Sequence, residues 1–150
     1  MEQKRSRITV YSVQLVKERN MMVYGEKSIR SPQDAEKVIR ELIGTSDREV
    51  FATIFLNTKN KITGVEKVSV GSLNSAIVDP REVFKAAILH NAASIIVSHN
   101  HPSGDPTPSR EDLAVTNRLA EAGKLLGIEV IDHIILGEET FQSLKESGMM

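Results

Sequence analysis

Residues 93–112 read ASIIVSHNHPSGDPTPSRED. Ala93–Ser98 is a short unbroken apolar run, the signature of a strand buried on both faces. His99–Pro108 follows, with three prolines and one glycine, and reads as a loop. Ser109 then caps a helix that runs to about Leu126 and stops at Gly127. A buried strand that hands over to a helix through a rigid loop is the unit of an α/β domain. His99 and His101 sit two apart where the strand ends, so on extended backbone their side chains share one side. Pro102 keeps His101 extended, and Asp112 falls in the first turn of the helix. Two neutral imidazoles and one carboxylate suit Zn2+, and three protein ligands leave a fourth place for water. The S-x-x-D spacing of Ser109 and Asp112 is equally that of a capping box. The two roles require different orientations of the Asp112 carboxylate, and spacing leaves both open.

Outward from this segment the chain keeps the same grammar. Ser31-Pro32, with Asp34 three residues after the serine, opens a helix. Ala35, Val38, Ile39, Leu42 and Ile43 give it one apolar face, and Gly44 ends it. Glu49–Asn57 (EVFATIFLN) reads as a strand, Thr58–Lys61 as a polar turn and Ile62–Val70 as a second strand, a hairpin. Asp79-Pro80-Arg81-Glu82 opens a helix to about Asn91, with Val83, Phe84, Ala87 and Ile88 facing inward. Ile128–Leu136 is the last interior strand, and a short helix near Phe141–Glu146 closes the chain. Residues 1–30 form an arm with room for one or two edge strands. The expected class is α/β, a mixed sheet flanked by helices, with domains 1–30 (basic arm) and 31–150.

The chain has 150 residues, 19 Lys plus Arg, 20 Asp plus Glu, 4 His and no Cys. A 40% hydrophobic, 26% charged composition is that of a folded domain, not a disordered chain. Without cysteine there is no thiol nucleophile, disulfide, iron–sulfur cluster or Cys-ligated zinc, so any metal falls to His and carboxylates. The arm holds 7 Lys/Arg against 3 Asp/Glu, and residues 31–150 hold 12 against 17. Nucleic-acid contact is thus expected only through the basic arm, because the body is acidic and 4% aromatic. No apolar run approaches the ~18 residues of a membrane span, and MEQKRSRITVY lacks the apolar core of a signal peptide. A cytoplasmic protein is expected. No phosphate-binding glycine loop is present. Asp132-His133 reads as a polar pair on opposite faces of a strand, of which at most one faces the histidine cluster. His90 reads as a partner for a helix C-terminus.

The stretch 99–112 resembles the H-x-H-x7-S-x2-D motif of JAMM/MPN (JAB) metalloproteins. With Asp79–Phe84 (DPREVF), Ser98–Asp112 and Asp132–Ile135 (DHII), the resemblance from about residue 30 to 150 is closest to the RadC family. It implies the JAMM/MPN fold, cytidine-deaminase-like, with one zinc held by His99, His101 and Asp112. It also implies a general base upstream of the histidine pair, matched here by Glu49, with Glu66 as the rival. Ser109 matches the family's serine, whose hydroxyl stabilises an oxyanion. Full-length RadC proteins resemble this chain plus an N-terminal helical module, which 30 residues are too few to hold.

Two functions follow from the resemblance. The first is a zinc metallohydrolase of the metallopeptidase or isopeptidase type, acting on a peptide or protein. The alternative is a non-enzymatic module for DNA maintenance (the DNA repair link in the RadC name) or protein binding. A binding module has no need of His99, His101 and Asp112 together with Glu49, which favours the enzyme. Substrate and oligomeric state are not written in these motifs.

Overall fold

A proline behind a capping residue starts two of the helices, as the sequence predicts. In the computed structural model, which describes residues 1–71 and 78–150, helix α1 spans Pro32–Ile43 and helix α2 spans Pro80–Leu89. Asp34 accepts the Ser31 N–H at 3.1 Å and Asp79 accepts that of Arg81 at 2.9 Å, so orphan donors at both helix starts are satisfied. Strand β1 spans Val50–Leu56, β2 Ile62–Val70, β3 Ser94–Asn100, β4 Glu129–Leu136 and β5 Phe141–Ser143, and helix α3 spans Arg110–Leu126.

Among the described residues the five strands form one sheet in the order β2-β1-β3-β4-β5. Only β3 and β4 pair in parallel, joined by α3, and the other neighbours are antiparallel. The two central strands β1 and β3 are buried along their whole length, as their continuous apolar runs demand. Alternate side chains divide between two cores. Ala35, Val38, Ile39, Leu42 and Ile43 of α1 pack on Ala52, Ile54, Leu56, Ile96 and Ile134. On the opposite face Val83, Phe84 and Ala87 of α2, with Val115 and Leu119 of α3, pack on Phe51, Phe55, Ile95 and Val97.

One irregularity matters for the site. Ile95 pairs with Val130 but Ile96 pairs with Asp132, so Ile131 is an extra residue in β4. A one-residue bulge reverses the alternation beyond it. Val130 therefore belongs to the α2/α3 core, whereas Ile134 and Leu136 belong to the α1 core. His133 is left facing α3.

Four expectations need correction. The segment at Phe141 is not a helix: residues 141–143 pair with β4 and turns follow. The i, i+3 spacing of Phe141 and Leu144 suits a helix, but the free edge of β4 offers a ladder, and Ser143 Oγ ties itself to Asp132 Oδ2 at 2.6 Å. The arm forms no strand, only one isolated bridge from Ser28 to Lys61, with Ile8, Val10, Tyr11, Val13 and Val16 left exposed. Ile88 is 51% exposed, and Ala86 takes a buried place instead, because the face of α2 that meets the sheet is rotated by part of a turn. Finally, β3 does not stop at Ser98 but runs through His99 to Asn100, since His99 pairs with Phe51 on one side and Ile135 on the other. No helix among the described residues is long and apolar enough to cross a membrane.

Candidate metal centre

The strand end, the proline-braced loop and the start of α3 bring His99, His101 and Asp112 together, as their spacing predicts. Nε2 of His99 lies 3.0 Å from Nε2 of His101. Asp112 Oδ1 is 3.2 Å from His99 Nε2, and Oδ2 is 3.1 Å from His101 Nε2. His99 is 1% exposed, while His101 is half-buried at the rim. The loop between them and the helix is braced from below. Gly137 lies where a Cβ would stand 2.4 Å from the Gly104 carbonyl, so only glycine lets β4 pass so close. Glu138 N–H donates to that carbonyl at 3.0 Å.

The orientations that spacing had set against each other are one and the same for the Asp112 carboxylate. Its Oδ2 accepts the Ser109 N–H at 2.8 Å, closing the capping box, and the same orientation presents the group to both imidazoles. Ser109 Oγ accepts the Asp112 N–H at 3.1 Å. A hydroxyl has one proton of its own, so the exposed Ser109 O–H remains able to donate. Burial opposes ionisation of Asp112, but His101, His99 and the Ser109 N–H outweigh it and hold its carboxyl far below the usual carboxylate range. The positive end of α3 acts in the same direction. His101 is pushed up by its hydrogen bond to Asp112, against burial, with the Asp105 carbonyl and the charges of Asp112 and Glu49 adding to the rise.

The donor set fits a cation. His101 Nδ1 lies 2.8 Å from the Asp105 carbonyl, which can only accept, so in the neutral ring Nδ1 carries the proton and Nε2 a bare lone pair. That lone pair, the His99 nitrogen and a carboxylate face one another within 3.0–3.2 Å. Ligands at about 2.0–2.1 Å on a tetrahedron would themselves lie about 3.3 Å apart. Among the described residues His99, His101 and Asp112 form the group able to hold a metal.

Glu49 precedes β1. The antiparallel pairing of β1 and β3 begins at Phe51 and His99, and Glu49 lies two residues before Phe51 as His101 lies two after His99. The charge of Glu49 contributes to the raised pKa of His101. Glu66 pairs with Thr53 further down the sheet, and the charges that act on it are Lys85 and Glu82. Of the two carboxylates, Glu49 is the one whose charge acts on His101.

Spacing did not single out three further groups. Asn100, between the two histidines, accepts the Val50 N–H at 2.7 Å and donates to the Arg48 carbonyl at 3.0 Å. It clips the backbone on both sides of Glu49. Thr116 lies one helical turn after Asp112 and donates to the Asp112 carbonyl at 2.7 Å. His133, read with Asp132 as a polar pair of which at most one faces the cluster, is the one that does: it is fully buried and 2.7 Å from His99 Nδ1. Burial, with the charges of its histidine neighbours, pushes its pKa well below the ordinary value. The i, i+4 step from Asp112 to Thr116 was legible; the bulge that turns His133 inward was not. Asp132 instead anchors Ser143 and the Lys145 N–H. His90 is the C-cap of α2, but its ring stacks on Phe55 and burial lowers its pKa, which opposes the charged helix-end role read from the sequence.

The RadC-like JAB domain family matches residues 29–149. The chain is 56% identical over 122 residues to a UPF0758 protein of Moorella thermoacetica, covering 81% of this chain and 53% of that one. A UPF0758 protein of Geobacillus sp. (strain WCH70) is 56% identical over 124 residues, 83% of this chain and 55% of its own. One from Caldanaerobacter subterraneus subsp. tengcongensis is 52% identical over 138 residues, 91% and 59% respectively. The chain spans little more than half the length of these relatives. With the family match covering most of its length and the His-His-Asp cluster lying inside it, this chain belongs to the RadC-like JAB domain family.

Proposed function

We propose that the domain is a zinc-dependent hydrolase of amide bonds, of the metallopeptidase or isopeptidase type. The observation that carries this reading is the convergence of His99, His101 and Asp112, with the charge of Glu49 acting on His101. A bound zinc ion supplies a Lewis acid and lowers the pKa of water toward about 7. Glu49 takes a proton from the attacking water and returns it to the leaving amine. Ser109 keeps its own O–H available at the mouth of the site and donates to the oxygen of the scissile carbonyl as negative charge develops there. Asn100 holds the backbone that carries Glu49, so the base meets substrate from a fixed position.

Glu49→Gln tests this. With zinc-loaded protein and a panel of quenched peptides and Lys-linked isopeptides, hydrolysis is expected to fall by roughly 10²-fold or more while bound zinc is unchanged. Equal hydrolysis by the variant overturns the role of Glu49. Failure of the wild type to cleave any panel member overturns the amide-hydrolase reading.

A further inference from the structure

The hydrogen bonds behind His99 have a direction, and it can be followed from an atom that cannot donate. The Asp112 backbone carbonyl accepts from Thr116 Oγ1 at 2.7 Å. A threonine hydroxyl has one proton, and the carbonyl uses it. Thr116 Oγ1 also lies 2.6 Å from His133 Nδ1, so at that contact the hydroxyl oxygen accepts and Nδ1 carries the hydrogen. A neutral imidazole has one N–H, so His133 Nε2 is bare. It stands 2.7 Å from His99 Nδ1, which must then be the donor. His99 Nε2, the atom that faces His101 and Asp112, is left with its lone pair.

We propose that Thr116 and His133 are positioning residues, a relay that fixes His99 in the Nδ1–H tautomer and aims its Nε2 at the metal. This rests on the metal-centre part of the proposed function, not on the reaction assigned to it. The circuit is closed on one residue. Asp112 offers its carboxylate to the metal and, through its carbonyl, Thr116 and His133, sets the tautomer of the first histidine. His101 is set separately, by the Asp105 carbonyl. Both donors are thus set by backbone carbonyls of the segment that follows β3, so a correctly folded loop and helix start prepare the site before any ion arrives. Ligand histidines commonly donate their second N–H to such a partner, and its loss typically weakens binding about 10- to 100-fold. Here the partner is a second imidazole, buried among Phe51, His99 and Thr116 and unable to reach solvent.

The test is zinc affinity, measured by competition with a chromophoric chelator, together with nitrogen-15 NMR of the histidine rings in metal-free protein at about pH 9, where free imidazoles are neutral. Thr116→Val keeps the shape and removes the hydroxyl. It is expected to weaken zinc binding roughly 10- to 100-fold, with a wild-type circular dichroism spectrum. Thr116→Ser is expected to restore the affinity. In the wild type, His99 and His133 should both carry hydrogen on Nδ1, and in Thr116→Val that preference should be lost. Wild-type zinc affinity in Thr116→Val, or an Nε2–H on His99 in the wild type, overturns the relay. If the wild-type protein takes up no zinc, the metal reading fails instead, and the NMR spectrum still decides the relay by itself.

Discussion

Two imidazoles lie against phenylalanines of the same strand, and their fates differ. At one end of β1, Phe51 stacks with His99 at a centroid distance of 6.2 Å and an interplanar angle of 13°. Nearer the hairpin, Phe55 stacks with His90 at 4.3 Å and 25°. Both phenylalanines are fully buried. His99 has polar partners at both ring nitrogens, His133 on one and His101 with Asp112 on the other. His90 fills the space above Gly64, where a Cβ would stand 2.7 Å from its ring. An aromatic wall alone therefore makes a packed histidine. Carbonyls, a carboxylate and a second imidazole brought in from α3 and β4 make a candidate ligand.

Truncating the two walls sharpens that contrast most strongly. Phe51→Ala and Phe55→Ala should each cost about 3–5 kcal/mol in urea unfolding. Only Phe51→Ala should also weaken zinc binding, and an equal loss of zinc affinity in both variants breaks the distinction.

The pH dependence separates the same regions. His101 has a raised pKa, so in the metal-free protein its contribution to stability is fully present below the unfolded value of about 6.5 and is lost as pH rises through the folded one. Asp112 has a depressed pKa, so its contribution is present above about 3.8 and is lost as pH falls through the folded value. A metal competes with the proton on His101. Zinc affinity should therefore fall as pH drops through the raised pKa, beginning above about 6.5, by up to about tenfold per unit. His90 runs the other way: burial depresses its pKa, so its contribution declines as pH falls below about 6.5. Zinc titrations between about pH 5 and 8 check the first sign, and a flat profile contradicts it.

The smallest effect belongs to the packed histidine. Gly64→Ala forces a Cβ against the His90 ring and should cost about 1 kcal/mol, with zinc affinity unchanged. A change in zinc affinity there would show that the two ends of β1 are coupled.

Much of this was legible in the sequence, for reasons that can be named. The helices at Pro32, Pro80 and Arg110 announced themselves through Ser31, Asp79 and Ser109, local caps whose hydrogen bonds span only a few residues. The three residues of the His-His-Asp cluster lie within 14 positions, so spacing alone brings them together. What remained hidden depends on distant partners. Phe141 becomes a strand because β4 has a free edge, and periodicity cannot report a neighbour's edge. The inward turn of His133 depends on one extra residue, Ile131, in a parallel ladder that has no counterpart in local pattern. Asn100 looks like a loop asparagine until β1 arrives beside it to be clipped. The arm kept its basic charge but not the expected strands, since alternation without a paired edge leaves Val10 and Val13 in solvent.

The metal centre itself is tested most directly by elemental analysis of purified protein beside His101→Ala and Asp112→Ala. The expected result is about one zinc per wild-type chain and almost none in either variant, because an open catalytic site uses three protein ligands and each variant leaves two. Zinc retained at wild-type stoichiometry by both variants would contradict the assignment of His99, His101 and Asp112.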